Sequence, residues 1–378
     1  FIGCSDLLTP RSVFIFWDRW LPDFIPLFNN ETATKPMSQP EGWQLLPAEM
    51  VQMILYQACS CYDKDETTPT QEQGLNDCVS LLICRMVCSQ WRDLLPPVRP
   101  ADRDRFTFEV ARRGHLEVLK WARENGCSWR SDTCAGAASG NHLEMLKWLR
   151  KQGCPLAGGV YMAATRGGHL EVLKWLYAIG LENGWSSYLC DTAAEFGHLE
   201  VLKWLRENDA DWGNRTCAAA ALGNQFDVLK WLHEKKCPWT AETFHNAALV
   251  GNFEMLMWLR DQNCPWSVYT CADAAKGGHL EVLQWLRDQG CPGTPATCAN
   301  AAGGGHLEVL KWARDQGCPW DLRTCSEAAA GGHLEVLKWA RANDCPWDVT
   351  TWTYAAYKGH TEVANWARAN GCPGPTFI

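Results

Sequence analysis

From about residue 106 onward the chain alternates two short patterns of apolar and polar positions. The clearer one is "HLEVLKWLY", beginning at His169. Leu170, Leu173 and Leu176 share one face at three-residue spacing, and Val172 and Trp175 widen it. This spacing predicts an amphipathic helix, and a face that broad suits a helix with neighbours on both sides. Glu171 near the start and Lys174 towards the end match the helix dipole. The other pattern comes first in each unit, as in "TCADAAKGG" (270–278). There Thr270 is placed to cap a shorter helix, Asp273 follows three residues on, and Gly277 and Gly278 end it. A "GCPW" stretch then turns the chain, because proline cannot continue a helix interior.

The pair of patterns repeats. The Trp that follows "LK" or its equivalent falls at 121, 148, 175, 204, 231, 258, 285, 312, 339 and 366, in steps of 27 residues except one of 29. Two antiparallel helices per step cannot enclose a core alone, so the units must stack. The expected fold is all-α: a helical solenoid of ten short helix-turn-helix repeats. In the last copy, Thr361, Ala364 and Asn365 replace Leu, Leu and Lys, as a terminal cap requires. The units resemble ankyrin repeats in their Ala pair, Gly-His and "LEVLKWL"-type second helix, seen in "AAAGGHLEVLKWARANDCPWD" (328–348). They are shorter than the usual unit of about 33 residues and have Thr-Cys in place of "TPLH".

Recurrence decides how the chemically suggestive residues are read. His stands before the second helix at 115, 142, 169, 198, 279, 306, 333 and 360, with Gln225 and Asn252 in the other two units. A catalytic His need occur only once, so this register is read as a structural hydrogen-bond former in the turn. Cys occupies one register at 127, 154, 237, 264, 291, 318, 345 and 372, and another at 134, 190, 217, 271, 298 and 325. Stacked helices lie roughly 8–10 Å apart and disulfides need Cα atoms within about 7 Å, so bridges between neighbouring units are not expected. Tyr161, Phe244 and Trp352 replace Cys in the second register, which marks a core position. No CxxC pair occurs in the array, and the usual zinc signature is missing. The helix Trp residues are read as packing between layers, with Trp285→Ala expected to destabilise.

One register varies in a way that packing does not explain. Three residues before the His stand Arg112, Ser139, Arg166, Glu195, Leu222, Leu249, Lys276, Gly303, Ala330 and Tyr357. The positions after "CPW" vary too, as in Asp321-Leu322-Arg323 against Thr240-Ala241-Glu242. As a set on one side of a solenoid, these are the expected target-binding positions, above all Arg112, Ser139, Arg166, Glu195, Leu222, Leu249, Lys276 and Tyr357.

Upstream, "LLPAEMVQMILYQACSCYD" (45–63) and "LLICRMVCSQWRDLL" (81–95) have helical spacing, separated by a polar stretch. Leu46-Pro47, Glu49, Ile54-Leu55 and "RMVCSQWRDL" resemble an F-box, with an insertion between the halves. The resemblance implies docking on the Skp-family adaptor of a cullin–RING ubiquitin ligase through Leu46, Pro47, Met50, Ile54, Leu55, Val87 and Trp91, while the repeats hold a target protein. The whole arrangement resembles F-box/ankyrin proteins of giant DNA viruses of amoebae. The expected organisation is an uncertain or partly disordered segment at 1–42, an F-box-like module at 43–97, a linker at 98–105 and the ankyrin-like array at 106–378.

Composition narrows the function. The 378 residues carry a formal charge of −8, which disfavours nucleic acid as the main partner. The best membrane-span candidate, Val13 to Phe28, is broken by Asp18, Arg19, Pro22, Asp23 and Pro26. It also lacks the basic lead-in and cleavage site of a secretory signal. With no such signal, the 20 Cys are expected as reduced thiols in the cytoplasm, the host's if the source is viral. No nucleophile elbow, phosphate loop or zinc motif is present. The sequence therefore predicts a monomeric, non-enzymatic substrate-recognition adaptor without cofactor or metal. A plain ankyrin scaffold that masks its partner without ubiquitination is the alternative.

Overall fold

The computed structural model describes residues 100–124, 127–181 and 186–374. Among the described residues there are twenty helices and no strand, arranged as ten ankyrin-like helical hairpins. The first three hairpins pair α1 (Pro100–Arg112) with α2 (Leu116–Glu124), α3 (Ser131–Ser139) with α4 (Leu143–Lys151), and α5 (Gly159–Arg166) with α6 (Leu170–Ala178). The next three pair α7 (Ser187–Glu195) with α8 (Leu199–Glu207), α9 (Asn214–Leu222) with α10 (Phe226–Glu234), and α11 (Ala241–Val250) with α12 (Phe253–Asp261). Then come α13 (Thr270–Gly277) with α14 (Leu280–Asp288), and α15 (Pro295–Gly303) with α16 (Leu307–Asp315). The last two are α17 (Leu322–Ala330) with α18 (Leu334–Ala342), and α19 (Val349–Tyr357) with α20 (Thr361–Ala369). Helix α1 takes in residues that the sequence reading assigns to a linker at 98–105. It opens on Pro100, whose missing N–H costs nothing at a first helical position. The F-box-like module lies outside the described residues.

The two rows of helices differ in what they bury. Helix α9 reads NRTCAAAAL and buries Thr216, Cys217, Ala218, Ala220 and Ala221. Side chains this small let successive first helices pack directly on one another. Second helices bury larger residues, such as Val201, Leu202 and Leu205 in α8. They rest on their own first helix and stand farther from each other. The α5–α7 junction, where the repeat is two residues longer, packs less closely than the other first-helix junctions.

Local chemistry explains the constant letters. Thr270 is the first residue of α13 rather than its cap, and its buried hydroxyl accepts the Ser267 N–H at 3.3 Å. Thr133, Thr216 and Thr297 do the same for the residue three positions back. A left-handed residue, Gly153 for one, follows each second helix, and Cys154 N–H then returns to Leu149 O at 3.0 Å. That closure buries the cysteine against the hairpin. Tyr161 and Phe244 are buried where other units have Cys, which confirms the second register as core. In the terminal hairpin Thr361 and Asn365 are exposed, whereas Ala364 keeps its place in the core.

Candidate binding surface

A histidine in the turn between the two helices joins seven of the hairpins to the one before. His142, His169, His198, His279, His306, His333 and His360 each donate from Nε2 to a carbonyl of the preceding unit, at 2.8–3.1 Å. The acceptors are Arg112, Ser139, Arg166, Leu249, Lys276, Gly303 and Ala330. These carbonyls end the first helices and have no partner within the helix. The imidazole fits between two glycines: a Cβ on Gly278 would stand 2.5 Å from the His306 ring, and one on Gly304 2.6 Å from it. The His therefore holds two repeats together, beyond the turn role its sequence position suggests. Gln225 and Asn252 do not reproduce the bond, since Gln225 donates to Gly223 O and Asn252 to the Asn224 side chain. His306→Ala is expected to destabilise by about 0.5–1.5 kcal/mol, the net worth of one hydrogen bond to the Lys276 carbonyl at an exposed joint. His306→Gln should not recover the loss in thermal melts.

This bond explains the variable register. At seven of its ten positions the main chain is held by the histidine of the next unit, so the side chains there are free to differ. Arg112, Arg166, Glu195, Leu222, Lys276 and Tyr357 are exposed, and Ser139 and Leu249 are half-buried. Each is the last member of a stripe spaced i, i+4, i+7 along a first helix, which is one helix face. In α13 the stripe is Tyr269, Asp273 and Lys276, with Tyr269 at the N-cap. In α11 it is Glu242, Asn246 and Leu249; in α19, Thr350, Tyr354 and Tyr357. Tyr357 is 85% exposed and Tyr269 60%.

The middle position of the stripe was not legible as a contact residue, because Asp273 reads as part of a helix start. It varies as Asn246, Asp273, Asn300, Glu327 and Tyr354. Asn246 and Asn300 donate to Ala218 O and Ala272 O of the preceding helix, while Glu327 and Tyr354 are exposed. Some candidate residues are committed within the fold. Arg112 bonds Glu109 at 2.7 Å and, with Arg113, holds that carboxyl below its ordinary pKa against the cost of burial. The Arg166 guanidinium lies 5.5 Å over the ring of the exposed Phe196.

The second helices carry a different lattice. Their Trp residues are half-buried, and five tryptophans in the turns after second helices meet the helix tryptophan of the next unit edge-on, whereas Trp266 lies against Phe244. Trp129–Trp148, Trp212–Trp231, Trp239–Trp258, Trp320–Trp339 and Trp347–Trp366 have centroids 5.5–6.1 Å apart. Arg123, Arg206, Arg314 and Arg341 stack on Trp129, Trp212, Trp320 and Trp347 in the turn after their own helix at 4.1–4.6 Å. His233 takes the arginine's place over Trp239, at 4.1 Å. An open groove here is lined by Lys203, Arg206, Trp212, Trp231 and Lys235, among others. Lys203 is paired with Glu200 and Arg206 with Ala210 O, so this side is built mainly for packing.

One constellation looks catalytic. Ser267 Oγ lies 2.9 Å from His245 Nε2, and His245 Nδ1 lies 3.6 Å from Asp273 Oδ2. Two backbone donors beside it serve the turn. Ser267 N–H serves Thr270, and Tyr269 N–H donates to Ser267 Oγ itself. The trio links neighbouring repeats as a polar bridge.

Among the described residues, no group of three or more His, Cys, Asp or Glu is placed to hold a metal ion. No helix among them is long and apolar enough to cross a membrane. Stacked hairpins with a constant joint and a varied outer face define a helical-repeat solenoid. The family model for ankyrin repeats (many copies) matches residues 190–233, from within α7 to within α10. Of 118 chains of solved structures that match, one is the crystal structure of the human ASB11 ankyrin repeat domain. It is 20% identical, with a TM-score of 0.33, over 42% of this chain and 84% of that one. Among curated proteins, none matches.

Proposed function

We propose that the array is a protein-binding scaffold whose contact surface is the i, i+4, i+7 stripe of the first helices. The supporting observation is the separation of roles within each unit. In seven units the His–carbonyl bond fixes the main chain at the stripe's end, while the side chains there run from Arg112 and Ser139 through Leu249 to Lys276. Side chains that vary on a fixed frame suit recognition rather than folding.

We further propose that the chain is a substrate-recognition adaptor. In this reading residues 43–97 dock on a Skp-family subunit of a cullin–RING ubiquitin ligase. Its support is the F-box resemblance at Leu46-Pro47, Ile54-Leu55 and Trp91, joined to a repeat array. Apolar anchors in a helical module would fill a groove on the adaptor. The test is a pull-down of the full chain with a purified Skp-family adaptor. The proposal expects binding by the wild type and loss on combining Pro47→Ala with Trp91→Ala. No binding by the wild type would leave the plain scaffold, which masks its target without ubiquitination.

A further inference from the structure

Five hairpins contain both cysteine registers, and the pairing runs within a unit rather than between units. Cys134, in the first turn of α3, and Cys154, just after α4, bring their Sγ atoms to 3.1 Å. Cys217, Cys271 and Cys325 place their Sγ atoms 3.8–3.9 Å from the carbonyl oxygens of Cys237, Cys291 and Cys345. In the fifth pair, Cys298 Sγ lies 3.9 Å from Cys318 O. All ten are buried free thiols. Each pair is 20 residues apart, spanning the start of a first helix and the end of its own second helix. Other units lack one partner: Thr107 stands opposite Cys127, Ala210 opposite Cys190, Phe244 opposite Cys264 and Trp352 opposite Cys372.

We infer that these hairpins are modification sites, in which a small peroxide converts the paired thiols into a disulfide within the repeat. Packing alone does not require two thiols in contact, because Tyr161 and Phe244 fill the same core position. The pair is also chemically asymmetric. Cys154 is held below the ordinary thiol pKa by the hydrogen bond from Cys134 and by the Arg123 charge. Cys291 is lowered by Cys271 and Arg287, and Cys345 by Cys325, Thr324 and Arg341. Cys134, Cys271 and Cys325 are raised by the same pairing and by burial, which keeps them protonated. A thiol that loses its proton more readily than usual, beside a partner that keeps its own, is the arrangement of reactive dithiols.

The Cys154 thiolate attacks one peroxide oxygen. The O–O bond breaks, a sulfenic acid forms and the other oxygen leaves as water. Cys134 Sγ then attacks the sulfenyl sulfur, the S–S bond forms and the second oxygen leaves as water. Two electrons pass from the thiols to the peroxide, and both thiol protons end in water. Peroxide is little larger than water, and a solenoid opens locally, repeat by repeat. The bridge would tie the two ends of one hairpin together and resist that opening.

The test treats the full chain with hydrogen peroxide under native conditions, alkylates it in denaturant and maps the peptides by mass. The expected products are linked peptides 134–154, 271–291 and 325–345, reversed by dithiothreitol. The pair 298–318 should lag, because burial raises both thiols, Cys298 to about 12. Cys264 and Cys372 should remain alkylatable, the monomer should persist, and the melting temperature should rise by several degrees. Cys154→Ala should remove the first link alone. Full alkylation of every pair after peroxide, over-oxidation without linkage, or links between different repeats would overturn the inference.

Discussion

Gly223→Ala is expected to destabilise the array by about 1–3 kcal/mol, although the backbone there suits alanine. Gly223 has φ −74°, so no left-handed conformation is at stake. In open surroundings the same change stabilises by about 0.4–1 kcal/mol. Here a Cβ would stand 1.8 Å from Glu195 O and 2.7 Å from its carbonyl carbon. Those atoms are main chain of the preceding first helix, so α7 and α9 must separate. Gly159→Ala is the matched control: it too lies outside the left-handed region, and nothing lies within 4 Å of its Cβ position. Urea denaturation of the two variants should give opposite signs. Amide exchange should place the Gly223→Ala loss at the α7–α9 junction. A Gly223→Ala protein as stable as wild type would mean that first helices are not in backbone contact.

Trp339→Ala is expected to cost about 3 kcal/mol, the low end for deleting a large aromatic. The value sits there because the helix tryptophans are half-buried. Trp339, on α18, stands edge-on to Trp320 at 5.9 Å. Trp320 lies under Arg314 at 4.1 Å, and that guanidinium also donates to Cys318 O. Loss of Trp339 exposes one side of this stack. A double-mutant cycle with Trp320→Ala should return a coupling of about 0.5–1.5 kcal/mol. Additive losses would show that the rings do not support each other.

The repeat, its helix pair and the reading of His and Cys as structural are legible in the sequence because they recur in register. What escapes is what depends on neighbouring units. The periodicity places His306 before a second helix but cannot show that its partner is Lys276 of the preceding hairpin. The spacing argument against bridges between units says nothing of Cys134 and Cys154, which meet when one hairpin folds back on itself. Gln225 and Asn252 look equivalent to His by hydrogen-bonding capacity, yet Gln225 turns back to Gly223 O and Asn252 meets the Asn224 side chain instead of the helix-end carbonyl. The candidate surface is half legible: variation marks Lys276 and Tyr357, whereas Asp273 and Tyr354 join them only when helical geometry aligns the stripe.

The claim that binding lies on that stripe is tested most directly by protein capture with two sets of substitutions of equal size. One set replaces Tyr269, Lys276, Tyr354 and Tyr357 with alanine. The other replaces four exposed second-helix residues, Glu171, Glu200, Glu281 and Glu335. With melting temperatures unchanged, the account predicts that proteins captured by the wild type are lost with the first set and kept with the second. Retention by the first set, or loss with the second, would contradict it.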